Sequence, residues 1–540
     1  MIHFPLLSVI IFLPLVAGAL VLVLPRGWAK PWALFWAIID VVLAIILTAS
    51  FDVNANRLQF VESIPNWIPG FGVGYSVGVD GISIFLVGLT TLISAVAIGA
   101  SLWSINTRVK EYLALMLLLE AGVLGVFLAT NLFLFYVFWE VMLIPAYFLI
   151  GTWGGPRRVY AAIKFVLYTA AGSLLMLVGI ITLGVLHQFH GGPHGTFTLD
   201  LVQLAQTPLS NTEQIWLFLA FFAAFAVKVG LVPLHSWLPD AYTEAPTPVT
   251  IMLSGVMTKT AAYGFLRFCI GLFPGATHTL VPLMEILAVV SILYGAVLAL
   301  VQSDFKRLIA YSSISHLGVV MLGLFALNTQ GIEGGVLQMV NHGITITALF
   351  LIAGYMELRT GTRKIEDFGG QALRWPALAI VFLIAALSSL GLPGLNSFAG
   401  EFVTLLGVFR ANVVYGVLGT LVVIPAAWYL LRFFQGIMQG PAPERGPVVA
   451  AERKGVAKDL DLNELAVLLP LLVLIFVIGL APGQFTSAMD RSVHALPGVQ
   501  QTQAPPALAH EPSRDNSRIR PAPLQQQVNQ PYVLVFNRGV

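Results

Sequence analysis

What most limits this chain is a series of about fourteen apolar runs, each near the roughly 20 residues a helix needs to cross the hydrocarbon of a bilayer. They cover approximately Pro5–Leu24, Trp32–Ser50, Val77–Trp103, Glu111–Ala129, Asn131–Ile150, Ala161–Leu186, Gln214–Leu238, Val249–Leu272, Leu280–Val301, Phe305–Leu327, Glu333–Glu357, Pro376–Phe409, Val413–Gln439 and Leu465–Leu480. In lipid every backbone amide needs a partner within its own segment, so such runs are read as helices and the fold as all-α and polytopic. Composition agrees. Charged residues are 10% of the chain and hydrophobic ones 57%, where a soluble domain carries roughly 25% charged residues. A net charge of +2, from 28 basic and 26 acidic side chains, offers no basic face to nucleic acid. The single cysteine, Cys269, excludes a disulfide framework, a four-thiolate zinc site and an iron–sulfur cluster held by this chain alone.

The first run is not read as a cleaved signal, because no basic segment precedes it and Arg26 and Lys30 follow it. Short loops rich in Lys and Arg stay on the cytoplasmic side. Arg108 and Lys110, Arg157 and Arg158, Lys306 and Arg307, the Arg359–Arg374 group and the Arg445–Lys458 group all fall in alternate loops. An even number of spans then puts both termini outside. The expected organisation is a three-helix segment over 1–110, a first repeat over 111–272, a second over 280–439, and a loop with the last span over 440–482. Residues 483–540, rich in Pro, Gln, Ala and Arg, are read as a disordered tail. His187, His190 and His194 share an outer loop. With no carboxylate or thiol at ligand spacing, they are read as solvated rather than metal-binding.

A charge at mid-bilayer costs about 2.5 to 3.5 kcal/mol on insertion scales, so each one there is a functional candidate. Counting along the spans puts Glu120, Glu140, Lys228, Lys259, His316 and His342 near the middle of helices 4, 5, 7, 8, 10 and 11, and Glu401 in the outer half of helix 12. A single buried pair such as Glu140 with Lys228 could serve packing alone. Six groups at one depth point instead to a proton or ion path, because apolar residues would serve stability at least as well. Moving a carboxylate toward or away from a buried ammonium changes its hold on a proton, so one ion pair that opens and closes could load and unload H⁺. Asp40, Lys164, Arg267 and Glu285 are left to blander roles: Lys164 and Arg267 can snorkel, and Asp40 has no obvious partner.

Helices 7 and 12 carry a second pointer, independent of charge. One reads Lys228-Val-Gly-Leu-Val-Pro-Leu-His235-Ser-Trp237 and the other Gly391-Leu-Pro-Gly-Leu-Asn-Ser-Phe398-Ala-Gly-Glu401. Proline removes a donor and clashes with the preceding turn, so each span is expected to break there. Two Gly/Pro-interrupted spans in corresponding places mark an inverted-repeat transporter whose site lies at the breaks. Five helices separate them, an odd offset, so the copies insert with opposite orientation.

The stretch Leu234-His-Ser-Trp-Leu-Pro-Asp240, with Glu244-Ala-Pro-Thr-Pro248, resembles the signature of the antiporter-like membrane subunits of complex I and of multisubunit cation/proton antiporters. Asp80-Gly-Ile-Ser, Phe138-Trp-Glu140, Lys306-Arg-Leu-Ile-Ala-Tyr-Ser-Ser-Ile-Ser-His316, Asn341-His-Gly and Leu392-Pro-Gly394 to Glu401 add to it. The similarity covers most of residues 1–480. Glutamate at position 401, with no long lateral C-terminal helix, resembles one branch of this family, whose sisters usually carry lysine there. The resemblance implies Glu140 and Lys228 as a coupling ion pair, Lys259 with His235, His316 and His342 as central relay, Glu401 as outer gate, and Glu120 at a subunit contact. It also implies a subunit without its own cofactor or metal, with quinone, flavin and iron–sulfur clusters in partner subunits. Those partners include sister antiporter-like subunits, in a cytoplasmic or other energy-transducing membrane such as the thylakoid. The alternative is a subunit of a Na⁺/H⁺ antiporter or membrane-bound hydrogenase complex; a transporter of an organic solute would need a ligand pocket that nothing here suggests, and a pure scaffold would tolerate loss of Lys228. Tyr242 stands where the family pattern leads one to expect histidine.

Overall fold

In a computed structural model of the chain, which describes residues 4–55, 57–68, 73–191 and 195–500, the apolar runs are helices. The first two spans are α1 (Leu6–Val23) and α2 (Arg26–Ala49); a hairpin, β1 (Gln59–Ile68) and β2 (Val73–Val79), leads to α3 (Ser83–Ser104) and α4 (Val109–Leu128). The fifth span is α5 (Leu132–Val141) with α6 (Leu143–Trp153), and the sixth is α7 (Arg158–His190). After a short turn, α8 (Leu201–Leu204), the seventh span is split into α9 (Asn211–Val229) and α10 (Trp237–Glu244). The eighth contains α11 (Thr247–Met252) and α12 (Lys259–Gly264), each followed by a π-helical stretch, Leu253–Met257 and Phe265–Ile270. Then come α13 (Pro274–Leu300), α14 (Phe305–Leu324) and α15 (Thr329–Thr360). The twelfth span is α16 (Pro376–Leu390) with α17 (Asn396–Ala411), and the thirteenth α18 (Val413–Thr420) with α19 (Val423–Met438). A loop helix, α20 (Pro447–Arg453), precedes the last span, α21 (Leu462–Leu480), and α22 (Gly483–His494) follows it. Among the described residues 13 spans are long and apolar enough to cross a bilayer. The fourteenth is the twelfth in order, whose break leaves pieces of 15 and 16 residues.

Helix starts follow from short polar side chains that accept otherwise orphaned amides. Asn131 receives the amides of Phe133 and Leu134, Asp304 those of Lys306 and Arg307, and Ser210–Glu213 and Asp461–Glu464 close capping boxes.

Burial is uneven, and the unevenness locates the site. The most apolar 18 residues of the eighth and eleventh spans are all buried, whereas those of α2 and α21 are buried only to about a third, turning apolar side chains such as Ile45 and Val473 outward. The molecule is organised around two enclosed helices, and these carry Lys259 and His342.

The structure departs from the sequence reading at the hairpin, at the end of the sixth span and after the last span. Val77, assigned to the third span, lies in β2, whose Val73-Gly-Tyr-Ser-Val-Gly-Val79 pattern alternates with a period of two. Glu62 of β1 accepts the amides of Leu7 (2.7 Å) and Ser8 (3.0 Å), so the hairpin caps the first turn of α1. The helix of the sixth span runs on through His187 and His190 rather than ending in a loop before them. His187 Nδ1 bonds Thr207 Oγ1 (2.7 Å) and His190 Nδ1 donates to the Pro208 carbonyl (2.9 Å), while His194 lies outside the described residues. Finally, the expected tail begins with α22. Its apolar residues Phe485, Met489 and Val493 recur every fourth position, too few to raise the hydropathy but enough to make one buried stripe. Ser492 Oγ accepts the Gly81 amide (2.9 Å), and the Phe85 and Phe485 rings lie 5.5 Å apart. The rest of that expected tail, 501–540, lies outside the described residues.

Candidate functional site

The two breaks share one backbone device. Gly230 and Gly391 both adopt φ +80°, with ψ of 39° and 40°. The amide of Gly230 reaches Val227 O (3.2 Å) and that of Leu231 reaches Ala226 O (3.0 Å); Gly391 reaches Ser388 O (3.0 Å) and Leu392 reaches Leu387 O (3.1 Å). This paired closure satisfies the last carbonyls of a helix and needs a left-handed residue, which glycine supplies without steric cost. Aligned on these glycines, His235 matches Asn396, Ser236 matches Ser397, and Asp240 matches Glu401, while Lys228 matches Ser389. The two breaks therefore share a glycine turn and an acid, and differ in where the base sits.

At the first break Lys228 is buried, and its Nζ lies 3.8 Å from the ring centroid of Trp139. Glu140 is the next residue on α5, yet among the described residues no ion pair within 4.0 Å joins it to Lys228, and its Oε1 has no hydrogen-bond partner. The expected ion pair is thus open in this conformation: the indole face takes the ammonium. His235 stands in the break with its ring edge-on to Tyr294 (5.2 Å) and Nδ1 unpartnered, and it has no hydrogen bond to Lys228 or Lys259.

At the centre a line of polar groups is hydrogen-bonded at its two ends and open between its two imidazoles. The wide turn over Leu253–Met257 redirects hydrogen bonding, with Thr258 N–H reaching back five residues to Leu253 O, and Lys259 Nζ donates to the Ser254 carbonyl. The same Nζ lies 2.8 Å from His342 Nδ1. The rings of His342 and His316 have centroids 5.7 Å apart, and His316 Nδ1 is 2.9 Å from Glu401 Oε1. Gln338 Nε2 donates to the same carboxyl oxygen (3.0 Å), and Ser389 Oγ is 3.4 Å from His316 Nε2. A narrow void lined by His316, Gln338, His342, Thr345, Ser389 and Ser397 joins these groups and in this conformation is too tight for a free water. Asn341 and Asn396 exchange amide-to-carbonyl bonds (2.7 and 3.2 Å), locking the second break to α15. Sequence placed these residues at one depth; which of them touch is settled only by packing.

Glu120 is fully buried on α4, away from this line and beside Asp40 of α2. Asp40 therefore does have a partner, which sequence spacing on separate helices gave no means to see. The two basic residues read as snorkelling are also paired: Lys164 with Asp240 (2.8 Å), which Arg307 also approaches (3.4 Å), and Arg267 with Asp80. A cavity of about 230 Å³ opens beside Glu244, Lys306, Glu357 and Arg363 in the basic loops, and Thr250, Ser254 and Thr258 step from that end along the eighth span to Lys259. Tyr242 donates to Leu253 O (3.3 Å) at the first wide turn. Among the described residues no cluster of three or more His, Cys, Asp or Glu side chains is arranged to hold a metal ion.

Residues 129–424 match the family described as NADH:quinone oxidoreductase/Mrp antiporter, TM. NADH-quinone oxidoreductase subunit M of Rhodobacter capsulatus is 41% identical over 503 residues, covering 90% of this chain and 95% of that protein. The subunit M of Pseudomonas aeruginosa is 40% identical over 441 residues, covering 81% and 84%. Among solved structures, a chain of the respiratory complex I from Thermus thermophilus with bound NADH superposes with a TM-score of 0.80 at 33% identity, over 90% of this chain and 99% of that one. A chain of the Mrp complex from Dietzia shares the fold alone, with a TM-score of 0.80 at 22% identity over 92% and 98%. Two helices broken at matching glycines, a line of ionisable groups between them and relatives matched over almost their full length lead to one assignment: this chain belongs to the membrane family of NADH:quinone oxidoreductases and Mrp antiporters.

Proposed function

We propose that this chain is the proton-translocating, antiporter-like subunit of the membrane arm of an NADH:quinone oxidoreductase. It holds no redox centre, and quinone reduction elsewhere in the complex drives it. Its partners are other membrane-arm subunits, including sister antiporter-like chains, and the bilayer of a cytoplasmic or similar energy-transducing membrane with both termini outside. Relatives 37–41% identical that bear the name subunit M, or chain 4 in Marchantia polymorpha, favour this over an Na⁺/H⁺ antiporter complex, whose solved Mrp chain is 22% identical.

The observation that carries the mechanism is the run Lys259–His342–His316–Glu401, closed at 2.8 Å and 2.9 Å at its ends with the two imidazoles 5.7 Å apart between them. Lysine, imidazole and carboxylate each both take and give a proton, so neighbouring groups of this kind form a relay. Imidazole suits the middle because its two nitrogens let a proton arrive on one and leave from the other. In this reading the hydroxyl-lined end of the eighth span admits the proton, Lys228 and Glu140 close and open as the switch, His235 stands at their break, and Glu401 releases it outward. Repeats over 111–272 and 280–439 divide the labour, one switching and one releasing.

The test uses the assembled complex in sealed vesicles, comparing electron transfer with proton translocation in Lys228→Ala, Glu140→Gln and Lys259→Ala. The expected result is intact assembly with proton transfer through this subunit slowed by about a hundredfold or more, the range for removing a positioned acid–base group. An unchanged proton-to-electron ratio in all three would discard the reading.

A further inference from the structure

Away from the relay, three helices of the N-terminal segment meet around two carboxyls and a hydroxyl. Asp40 of α2, Ser94 of α3 and Glu120 of α4 each have 0% exposure. The carboxyls of Asp40 and Glu120 are within hydrogen-bonding reach of each other, and the Ser94 hydroxyl faces Glu120. Even so, among the described residues none of the four carboxyl oxygens receives a well-formed hydrogen bond from a donor, and Ser94 Oγ has no partner. A buried acceptor without a donor costs about 1–3 kcal/mol, more for a charged group, so five such atoms at one spot require an explanation.

No cation provides it. Neither α1 nor α3 has an ionisable side chain. On α2, Arg26 opens the helix and Lys30 turns to the Leu102 carbonyl and Asn106. On α4, Lys110 donates to the Leu22 carbonyl (3.2 Å), Glu111 pairs with Arg108 (3.6 Å), and Tyr112 is a buried phenol two turns from Glu120 with no partner. The other elements against α4 bring Tyr75 of β2, bonded to Ser8 Oγ (2.6 Å), Tyr136 and Glu140 of α5, Tyr147 of α6, and Lys259 of α12, whose Nζ is committed to Ser254 and His342.

Two ionised carboxylates would offer each other acceptors only and repel strongly where water is excluded. One proton changes both facts. The protonated carboxyl donates to its neighbour, the remaining charge is spread over the pair, and Ser94 O–H can turn to supply a second donor. We propose that Asp40 and Glu120 hold a single proton between them, forming a proton-binding dicarboxylate built across α2, α3 and α4. It is a site for H⁺ separate from the relay, and it stands whether or not the subunit pumps. Because its members sit on three helices, a shift of α2 against α4 parts the carboxyls and changes their hold on the proton.

Infrared difference spectra of the assembled complex in lipid nanodiscs test this, taking wild type minus Asp40→Asn and wild type minus Glu120→Gln. The expected result is loss of one protonated-carboxyl C=O band, with the intensity of one group, in each single variant. The exchanged pair Asp40→Glu with Glu120→Asp should restore it, and this arm also serves if a single variant does not assemble. A band that survives either single substitution, two bands lost one per variant, or no band restored by the exchange would overturn the shared proton. Pumping is not the readout, so failure here and failure of the relay are told apart.

Discussion

At the first break Lys228 rests on the face of Trp139 with Glu140 nearby but unjoined, whereas at the second Glu401 is held by His316 at 2.9 Å and Gln338 at 3.0 Å. The glycines that open the two breaks have nearly the same dihedral angles, while the side chains beside them differ. A desolvated cation–π contact is worth about 2 kcal/mol, while each hydrogen bond to a charged group contributes about 1.5–3 kcal/mol. On the proposed function, the first site lets its charge move between two partners and the second holds its charge until a neighbour changes. A break in a helix supplies room and free backbone groups; what it does with a proton depends on how tightly the charge beside it is bound.

The largest expected contrast comes from adding one methyl group to each glycine. Alanine at φ +80° costs about 1–2 kcal/mol at either position, so stability should fall equally. The new Cβ at 391, however, would sit 3.0 Å from Glu401 Oε2, while that at 230 would sit 2.9 Å from Leu238 Cδ1. Gly391→Ala displaces the carboxyl from His316, and losing about 1.4 kcal/mol of such a bond is a tenfold effect. Proton translocation in vesicles should drop about tenfold in Gly391→Ala and no more than about twofold in Gly230→Ala, with equal losses in thermal midpoint. Equal losses of translocation would erase the distinction drawn between the sites.

Sequence made the two breaks legible because glycine and proline act through the backbone, and an interruption of a long apolar run shows in one dimension. It also set Lys228, Lys259, His316 and His342 within long apolar runs, and the fold buries all four. It could not give partners. Trp139 takes the place of Glu140 as the contact of Lys228 although the two are adjacent on one helix, and the partner of Asp40, Glu120, lies 80 residues on along the chain, where spacing does not reveal it. The wide turns of the eighth span left no trace, since Leu253–Met257 contains no proline and its one glycine is explained by packing: a Cβ on Gly255 would meet Ile93 and Thr347 at 2.8 Å. Arg267 is instructive in another way. A basic residue near a span end fits snorkelling by depth alone, and only the fold shows it anchored to Asp80.

A few-fold effect should follow from Trp139→Leu, which removes the aromatic face under Lys228. Translocation falls by about fivefold, part of the full cation–π contribution because Glu140 is free to move in. Trp139→Phe keeps a face and should stay within about twofold of wild type. If leucine and phenylalanine behave alike, the ring serves only as volume and the loosely held charge at the first break has no special partner.

The smallest effect on translocation, none, is expected at the C-terminal end of the eighth span. Burial pushes the Asp80 carboxyl up, but the Arg267 guanidinium and the amides of Ser83 (3.0 Å) and Ile82 (3.1 Å) outweigh it and hold the group below its ordinary value. Its share of stability is therefore complete above about pH 4, near the unfolded value, and disappears as the pH falls through the lower native one. Arg267→Gln leaves a buried carboxylate with backbone donors alone, which costs about 3 kcal/mol. The thermal midpoint at neutral pH should drop and lose part of its dependence on acid below pH 4, while protons moved per electron stay as in wild type. If that ratio fell as well, Arg267 would belong to the proton path of the first repeat, and the loose site would extend from Lys228 to the C-terminal end of the eighth span instead of ending at the break.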